Sequence, residues 1–257
     1  MITYDRMPTP REWDGPTYDR ISAPMEAMGR AVLDRLPLRG DETVLDAGCG
    51  SGRVTALLAD RLPRGRVIGV DGSAGMIEAA RQRLGNRATL FVSDLLELVL
   101  DDPVDAVLST ATFHWIADHD GLFARLHAAL KPSGRLVAQC GGAGNIAALR
   151  EPVAAVTHDA PYAEHLVGFD PWHFAGPEET AERLRRAGFT DIRTWLEDWD
   201  VHPDAPADWL RTCILGSHLD RLPPELHDPL IASVEQRVES PLRVGYVRLN
   251  IDARATA

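Results

Sequence analysis

The chain contains very little lysine. Lys131 is the single lysine in 257 residues, so arginine supplies nearly all of the positive charge, and the formal net charge is −11. Proteins that bind nucleic acid cluster basic residues against the phosphates, and the arginines of this chain do not cluster along the sequence. The charge pattern therefore argues against a nucleic-acid partner.

Cysteine and metal-binding patterns are also scarce. Cys49, Cys140 and Cys213 lie far apart and form no C-x-x-C pair, which argues against a disulfide framework and a zinc knuckle. Three histidines fall within one segment, namely His158, His165 and His173. Their spacing matches no metal signature, so we interpret them as exposed polar residues on a lid and predict no metal site.

Long apolar runs are absent. No stretch of about 18 apolar residues is present, so we predict no transmembrane helix and no membrane partner. Residues 1–15 are polar and lack the apolar segment of a secretory signal, which predicts a cytoplasmic location. Because 45% of the residues are hydrophobic, the chain has enough apolar mass for one substantial core. We therefore predict a single domain over residues 1–257.

Short apolar runs alternate with helical stripes along the first 140 residues. The predicted strands are 43–45, 66–70, 88–92, 104–109 and 135–139. The segments between them carry apolar residues at i, i+3 and i+4, the spacing of amphipathic helices. This alternation implies right-handed βαβ crossovers, and hence an α/β fold with a doubly wound, mostly parallel sheet.

The alternation loosens after residue 141. It resumes with a helix at 178–187 and with strands at 191–201 and 244–251. The segments 141–176 and 202–240 interrupt it, with helices predicted in the second at 206–214 and 226–238. Insertions in such folds usually cover the ligand crevice, so we interpret these two as acceptor-side, helical lid insertions. Residues 1–36 are predicted to form an N-terminal helical cap segment.

A glycine-rich loop follows the first predicted strand, with the sequence DAGCGSG at residues 46–52. Glycines at this position let a ligand approach the backbone and the N-terminus of the next helix. Nicotinamide dehydrogenases and methyltransferases both use such a loop. The dinucleotide fingerprint G-x-G-x-x-G would require glycine at position 53, which is Arg53. The spacing therefore argues against a nicotinamide oxidoreductase.

The sequence VLDAGCGSG at residues 44–52 resembles the first motif of class I S-adenosylmethionine-dependent methyltransferases. Further segments resemble later motifs of that family in the same order: VDAVLS at 104–109, LKPSGRL at 130–136, and YVRLNI at 246–251, the family's final antiparallel strand. The resemblance implies a seven-stranded, Rossmann-like sheet with S-adenosylmethionine as methyl donor and S-adenosylhomocysteine as product. It places Asp71 at the ribose hydroxyls and Asp94 at the adenine amino group.

The sequence FHWI at residues 113–116 resembles the small-molecule branch of this family, which includes trans-aconitate methyltransferase. In that branch an N-terminal Trp and Tyr lie close to the cofactor. The complete set of residues expected at the cofactor is Trp13, Tyr18, Asp46, Gly48, Cys49, Gly50, Gly52, Asp71, Gly72, Met76, Ser93, Asp94, Leu95 and Thr110. The resemblance implies a small-molecule acceptor (a carboxylate, a hydroxyl or an activated carbon) and a monomer or homodimer.

His114 is the candidate catalytic residue. It follows the fourth strand, where it can orient an acceptor, take a proton from it, or only brace the cofactor. The segment 109–112 reads STAT and lacks the Asn/Asp-Pro-Pro-aromatic turn of enzymes that methylate the exocyclic amines of bases or glutamine. This difference again favours a small acceptor that is not a nucleic acid.

Other interpretations of these residues are open at this point. Asp71 can be a helix cap, Asp94 a turn residue and Cys49 a space-filling thiol, while Trp13 and Tyr18 can simply pack the N-terminal segment onto the sheet. The whole fold can also serve non-methylating chemistry, such as that of a pericyclase or decarboxylase, or act as a non-catalytic binding subunit.

Overall fold

The structure is a computed structural model that describes residues 11–13, 20 and 23–257. The strands are β1 Thr43–Ala47, β2 Arg66–Asp71, β3 Thr89–Val92, β4 Val104–Thr110, β5 Leu130–Gly141, β6 Phe189–Val201 and β7 Val244–Ala255. The α-helices are α1 Ala23–Asp34, α2 Arg53–Asp60, α3 Ala74–Leu84, α4 His119–Ala129, α5 Ala147–Thr157, α6 Ala163–Leu166, α7 Pro177–Arg186, α8 Pro206–Trp209, α9 Gly216–Leu219 and α10 His227–Glu235. Two 3₁₀ turns, Phe113–Trp115 and Pro224–Leu226, and a π-helical turn at Leu210–Ile214 complete these elements.

The strands form one seven-stranded sheet in the order β3-β2-β1-β4-β5-β7-β6. The pairs β1–β2, β1–β4, β2–β3 and β4–β5 are parallel, and β7 runs antiparallel to both of its neighbours. This confirms the predicted α/β class with a doubly wound, mostly parallel sheet and an antiparallel final strand. The strand order reverses between β1 and β4, which is where ligands bind in such sheets, at the carboxyl ends of the strands.

Both faces of the central sheet are buried. Val44 packs with Val32 and Leu33 of α1, whereas its neighbour Leu45 packs with Phe123 of α4 on the other face. Successive side chains of a strand point to opposite faces, so a strand covered on both sides reads as an uninterrupted apolar run. This burial explains why the short apolar runs located the parallel strands correctly.

The segments before and after β6 share a separate hydrophobic cluster. Leu149 of α5, Trp209 of α8 and Ile231 of α10 pack around Tyr246 of β7. The indole Nε1–H of Trp209 donates a hydrogen bond to the Tyr246 hydroxyl at 3.1 Å. These contacts attach both insertions to the C-terminal half of the sheet.

Two local features differ from the sequence expectation. The segment 141–176 was predicted to be helical, but the bounds of α5 were not, because Pro152 lies inside it and proline in a pattern normally indicates a helix end. The single helix predicted over 206–214 is instead α8 followed by the π-helical turn, and Cys213 and Ile214 of that turn face the candidate site. Within the described residues, the helices are all too short or too polar to cross a membrane.

Candidate functional site

The glycine loop between β1 and α2 uses conformations that favour glycine. Gly48, Gly50 and Gly52 have φ values of 82°, 53° and 81°. A Cβ on Gly48 would lie 2.1 Å from the Thr112 Oγ1, and one on Gly52 would lie 2.9 Å from a Leu84 methyl. A Cβ on Gly50 would meet nothing within 4 Å. Gly50 therefore faces open space at the carboxyl end of β1, where a ligand can approach the backbone.

The Asp71 carboxylate ties this loop to the end of β2. Its Oδ2 accepts a hydrogen bond from the Gly50 N–H at 2.9 Å, and its Oδ1 accepts one from the Ser73 N–H at 2.9 Å. Burial raises the pKa of Asp71, and the backbone donors oppose that shift. Each carboxylate oxygen has a further lone pair, so the same group can also accept hydroxyl protons from a ligand.

Asp46 lies beneath the loop and is buried, with 1% of its surface exposed. Its Oδ2 accepts a hydrogen bond from the Thr55 hydroxyl at 2.7 Å, whereas its Oδ1 has no partner among the residues that the structure describes. Burial raises the pKa of Asp46 to about 7, and the nearby Asp71 charge adds to that shift. A buried acceptor with an open lone pair is rare in folded proteins and fits a site that receives a polar ligand.

The raised pKa of Asp46 predicts a specific pH dependence of folding stability. A carboxyl group whose pKa rises from 3.8 unfolded to about 7 folded binds more protons when folded, so its contribution to stability falls as pH rises through that window. Asp46→Asn removes this contribution. We expect thermal unfolding of the cofactor-free protein to show the variant gaining stability relative to the wild type between pH 4 and 7. Parallel stability curves across that range would contradict the assignment.

The residues expected near the adenine of the cofactor follow the strands β2 and β3: Met76 lies on α3, and Ser93, Asp94 and Leu95 come directly after β3. The Asp94 Oδ1 accepts a hydrogen bond from the Leu96 N–H at 2.9 Å, which is the turn role also considered for it. The side chains of Met76 and Leu95 are buried, with 3% and 5% exposure. Ser93 is half-buried, and its N–H donates to the Asp71 carbonyl at 3.0 Å. These contacts bring the end of β3 next to the end of β2.

Three further predicted residues fall around the same loop. Cys49 is buried and packs against Gly69, where an added Cβ would lie only 3.1 Å from the Cys49 sulfur. Burial raises the pKa of the Cys49 thiol. Gly72 is half-buried beside Asp71. The Thr110 carbonyl accepts a hydrogen bond from the Thr112 hydroxyl at 3.0 Å. The surroundings of Cys49 favour the space-filling interpretation over a reactive thiol.

The described N-terminal residues Glu12 and Trp13 contact the start of α3 and the turn after β4. The Glu12 carboxylate accepts hydrogen bonds from the Ser73 hydroxyl at 2.8 Å and the Gly75 N–H at 2.6 Å, so it caps α3. Trp13 packs edge-on against Trp115, with ring centroids 5.5 Å apart. Sequence reasoning missed Glu12, because a lone acid in a polar segment carries no pattern. Tyr18 lies outside the described residues.

A cavity opens beside the loop, under the 3₁₀ turn that follows β4. It is lined by Trp13, Met25, Ala111, His114, Trp115, Asn145, Ile146, Trp172, Phe174, Cys213, Ile214, Tyr246 and Arg248. Trp172 and Phe174 are stacked, with centroids 5.9 Å apart. Among these described residues Arg248 is the one cation, and none is acidic. The cavity is therefore largely aromatic, with a positive charge on its wall.

His114 is held in one tautomer. The Gly141 N–H donates a hydrogen bond to the His114 Nδ1 at 3.2 Å, so the neutral ring carries its proton on Nε2. Burial lowers the pKa of His114 well below 6.5, and the charges of Arg248 and His119 lower it further. The ring is thus neutral near pH 7. This geometry favours a hydrogen-bond donor over the proton acceptor that the sequence left open.

Arg248 is the main site residue that sequence reasoning missed. It lies on β7 with only 2% of its surface exposed, and its Nε–H donates to the Gln139 Oε1 at 3.4 Å. The available signal was a charged residue at the centre of the predicted strand 244–251, in which Asn250 is the other strongly polar residue. Such residues are almost never fully buried unless they are paired.

The interpretation of the lid histidines was wrong for His173. Its N–H donates to the His114 carbonyl at 2.9 Å, and its ring packs edge-on against His119 with centroids 4.5 Å apart. His173 is therefore a half-buried support of the turn that carries His114. His165 is also half-buried, while His158 is exposed as expected.

Comparisons with known proteins agree with this arrangement. Residues 44–134 match the family model described as a methyltransferase domain. The chain is 32% identical to a trans-aconitate 2-methyltransferase of Variovorax paradoxus, and the match covers 93% of this chain and 94% of that protein. It is 34% identical to a malonyl-[acyl-carrier protein] O-methyltransferase of Geobacter sulfurreducens, over 74% of this chain and 72% of the other.

The fold is also shared with solved structures. One is a phosphoethanolamine N-methyltransferase 2 of Haemonchus contortus, in complex with phosphomonomethylethanolamine and S-adenosylhomocysteine. The TM-score is 0.62 at 22% identity, and the match covers 95% of this chain and 57% of that longer chain. At this identity the likeness concerns the fold alone.

Proposed function

We propose that this chain, which belongs to the class I S-adenosylmethionine-dependent methyltransferases in the branch of the trans-aconitate 2-methyltransferases, methylates a carboxylate of a small acid. The chain is an enzyme that transfers a methyl group from S-adenosylmethionine to a small-molecule acceptor. Family membership at this level disfavours a non-catalytic subunit and a fold repurposed for other chemistry. The carboxylate is the part that we propose.

The cofactor site that we propose lies over the glycine loop. The open space at Gly50 and the unpartnered Oδ1 of Asp46 both fit a ligand with polar groups. Asp71 would hold the ribose hydroxyls, and the Asp94 region would hold the adenine. Trp13 would lie near the sulfonium, since it packs on Trp115 at the edge of the cavity.

The observation that carries the proposed acceptor is the buried guanidinium of Arg248 in an aromatic cavity. The guanidinium lies on the cavity wall beside aromatic side chains, and its planar fork of donors matches the two oxygens of a carboxylate. The related enzymes are named for trans-aconitate, a tricarboxylate, and for a malonyl group, which ends in a carboxylate. The residues and the relatives' names therefore point to one acceptor chemistry.

The proposed chemistry needs little from the protein beyond alignment. When bound, S-adenosylmethionine would supply an activated methyl group, whose transfer in line to the acceptor oxygen breaks the methyl–sulfur bond and releases S-adenosylhomocysteine. A carboxylate is already ionised near pH 7, so no base has to remove a proton from it. Arg248 would hold one carboxylate, and the Nε2–H of His114 would donate to an acceptor oxygen. Trp115, Trp172 and Phe174 would exclude water from the reacting atoms.

The test is turnover of the purified enzyme with S-adenosylmethionine against a matched panel of acceptors. We expect S-adenosylhomocysteine to form with trans-aconitate or another small di- or tricarboxylic acid, and mass spectrometry to find a methyl ester. The corresponding amides, a phenol and a primary amine are expected to be inactive. Turnover of the phenol or the amine without the acids would contradict the proposal.

Two other statements stay predictions. A monomer or homodimer is the expected assembly, and sedimentation of the purified protein measures it directly. The cytoplasmic location also stays a prediction.

A further inference from the structure

We propose that Gln139 is a positioning residue that holds the Arg248 guanidinium in the orientation that selects a carboxylate. This inference rests on the proposed function, because it concerns the same acceptor site. Gln139 does not line the cavity, so its effect on the acceptor would pass through Arg248.

Gln139 and Arg248 belong to a network of buried, hydrogen-bonded side chains on the neighbouring strands β5 and β7. The Arg248 Nε–H donates to the Gln139 Oε1 at 3.4 Å, and the Gln139 Nε2–H donates to the Asn250 Oδ1 at 2.9 Å. Gln139 and Asn250 are register partners on β5 and β7 and are 3% and 0% exposed. Amides this deeply buried cost free energy unless their hydrogen bonds are made.

The other hydrogen-bond partners of Asn250 determine which way the side-chain amides of Asn250 and Gln139 point. Arg35, which follows α1, donates to the Asn250 Oδ1, and the Asn250 Nδ2–H donates to a Glu197 carboxylate oxygen at 3.1 Å. The Asn250 oxygen must therefore point toward donors. Gln139 turns its amide nitrogen to Asn250 and its oxygen to Arg248, since the reverse orientation would place two oxygens and two donors face to face.

Arg35 also anchors this network of side chains at a point outside the cavity. The Arg35 Nη2–H donates to the Ala138 carbonyl at 2.8 Å, its Nε pairs with Asp252 at 3.1 Å, and its guanidinium lies 5.0 Å from the Trp195 ring centroid. These contacts fix the Asn250 amide, and Gln139 connects that amide to the Arg248 side chain.

The experiment compares Gln139→Met, which keeps the side-chain volume without the hydrogen bonds, with the wild type and with Arg248→Met. Calorimetry measures trans-aconitate binding to the enzyme saturated with S-adenosylhomocysteine. We expect Gln139→Met to weaken trans-aconitate binding about tenfold, the size of a lost hydrogen bond to a charged group. It should raise KM for the acid more than it lowers kcat. The affinity for S-adenosylhomocysteine should not change, whereas a general structural defect would weaken both ligands.

The double variant Gln139→Met/Arg248→Met separates this inference from the proposed function. We expect Gln139→Met to cause no further loss once Arg248 is absent, because its effect passes through that residue. Unchanged trans-aconitate binding in Arg248→Met would overturn the proposed carboxylate site itself. A loss in Arg248→Met together with wild-type binding in Gln139→Met would overturn only the positioning role.

Gln139→Leu covers the case in which Gln139→Met fails to fold. It also removes both hydrogen bonds of the amide and places no charge beside the guanidinium. We expect it to weaken trans-aconitate binding about as much as Gln139→Met. Wild-type affinity for the acid in Gln139→Leu would equally overturn the inference.

Discussion

Arg248→Met is expected to lower kcat/KM for the carboxylate acceptor by about a hundredfold or more. Removing one partner of a buried, charge-assisted contact costs roughly 2–5 kcal/mol, and each 1.4 kcal/mol corresponds to about a tenfold change. Arg248 is 2% exposed, so little water is available to replace its charge. Steady-state kinetics with the best acid of the acceptor panel measures the effect.

Two variants control for causes other than the lost charge. Arg248→Lys keeps the charge without the planar fork of donors and should recover only part of the activity. Arg254→Met removes a guanidinium from the same strand, where Arg254 is partly exposed and pairs with Asp191 at 3.5 Å, and should leave kinetics unchanged. Equal activity of Arg248→Met and Arg254→Met would show that no anion binds at Arg248.

Gly50→Ala is expected to weaken S-adenosylmethionine binding about ten- to a hundredfold. The added methyl group would fill the open space above the loop, where we place the cofactor, and overfilling a close-packed site costs roughly 1–3 kcal/mol. Calorimetry with S-adenosylmethionine and S-adenosylhomocysteine measures the loss. Thermal unfolding of the ligand-free protein reports whether the loop itself is damaged.

The chain offers a matched control in Gly85, at the end of α3. Its φ is 56°, close to the 53° of Gly50, and a Cβ there also meets nothing within 4 Å. Gly85→Ala therefore also places a Cβ at a positive φ, with ψ at −121°, and carries backbone strain without entering the proposed cofactor site. If both variants bound S-adenosylmethionine equally, the loss in Gly50→Ala would have to be assigned to strain, and the loop would not be the cofactor site.

The fold could be predicted because its signals are local. The apolar run before Asp46 marked a buried strand, and the spacing of Gly48, Gly50 and Gly52 marked a loop whose φ values are all positive. Predictions failed where a signal depended on packing. Helix α5 continues through Pro152, and His173 supports a turn instead of lying on an exposed lid.

The acceptor site could be predicted only in part. His114 was placed by the motif after β4, but its tautomer is set by the Gly141 N–H on another strand. Arg248 and Gln139 meet across β5 and β7, at positions separated by more than one hundred residues. No spacing rule connects such positions, because their contact exists only once the two strands pair.

The sequence by itself determined the fold class and, through the resemblance of its motifs to a known family, the methyl donor. The glycine loop and the carboxylates after the strands are read from neighbouring residues, since backbone conformation is set by local sterics. Only the tertiary structure decided the character of the cavity that we propose for the acceptor. Its walls come from the N-terminal segment, the turn after β4, both insertions and β7, and folding alone brings an arginine and a neutral histidine into one water-poor space.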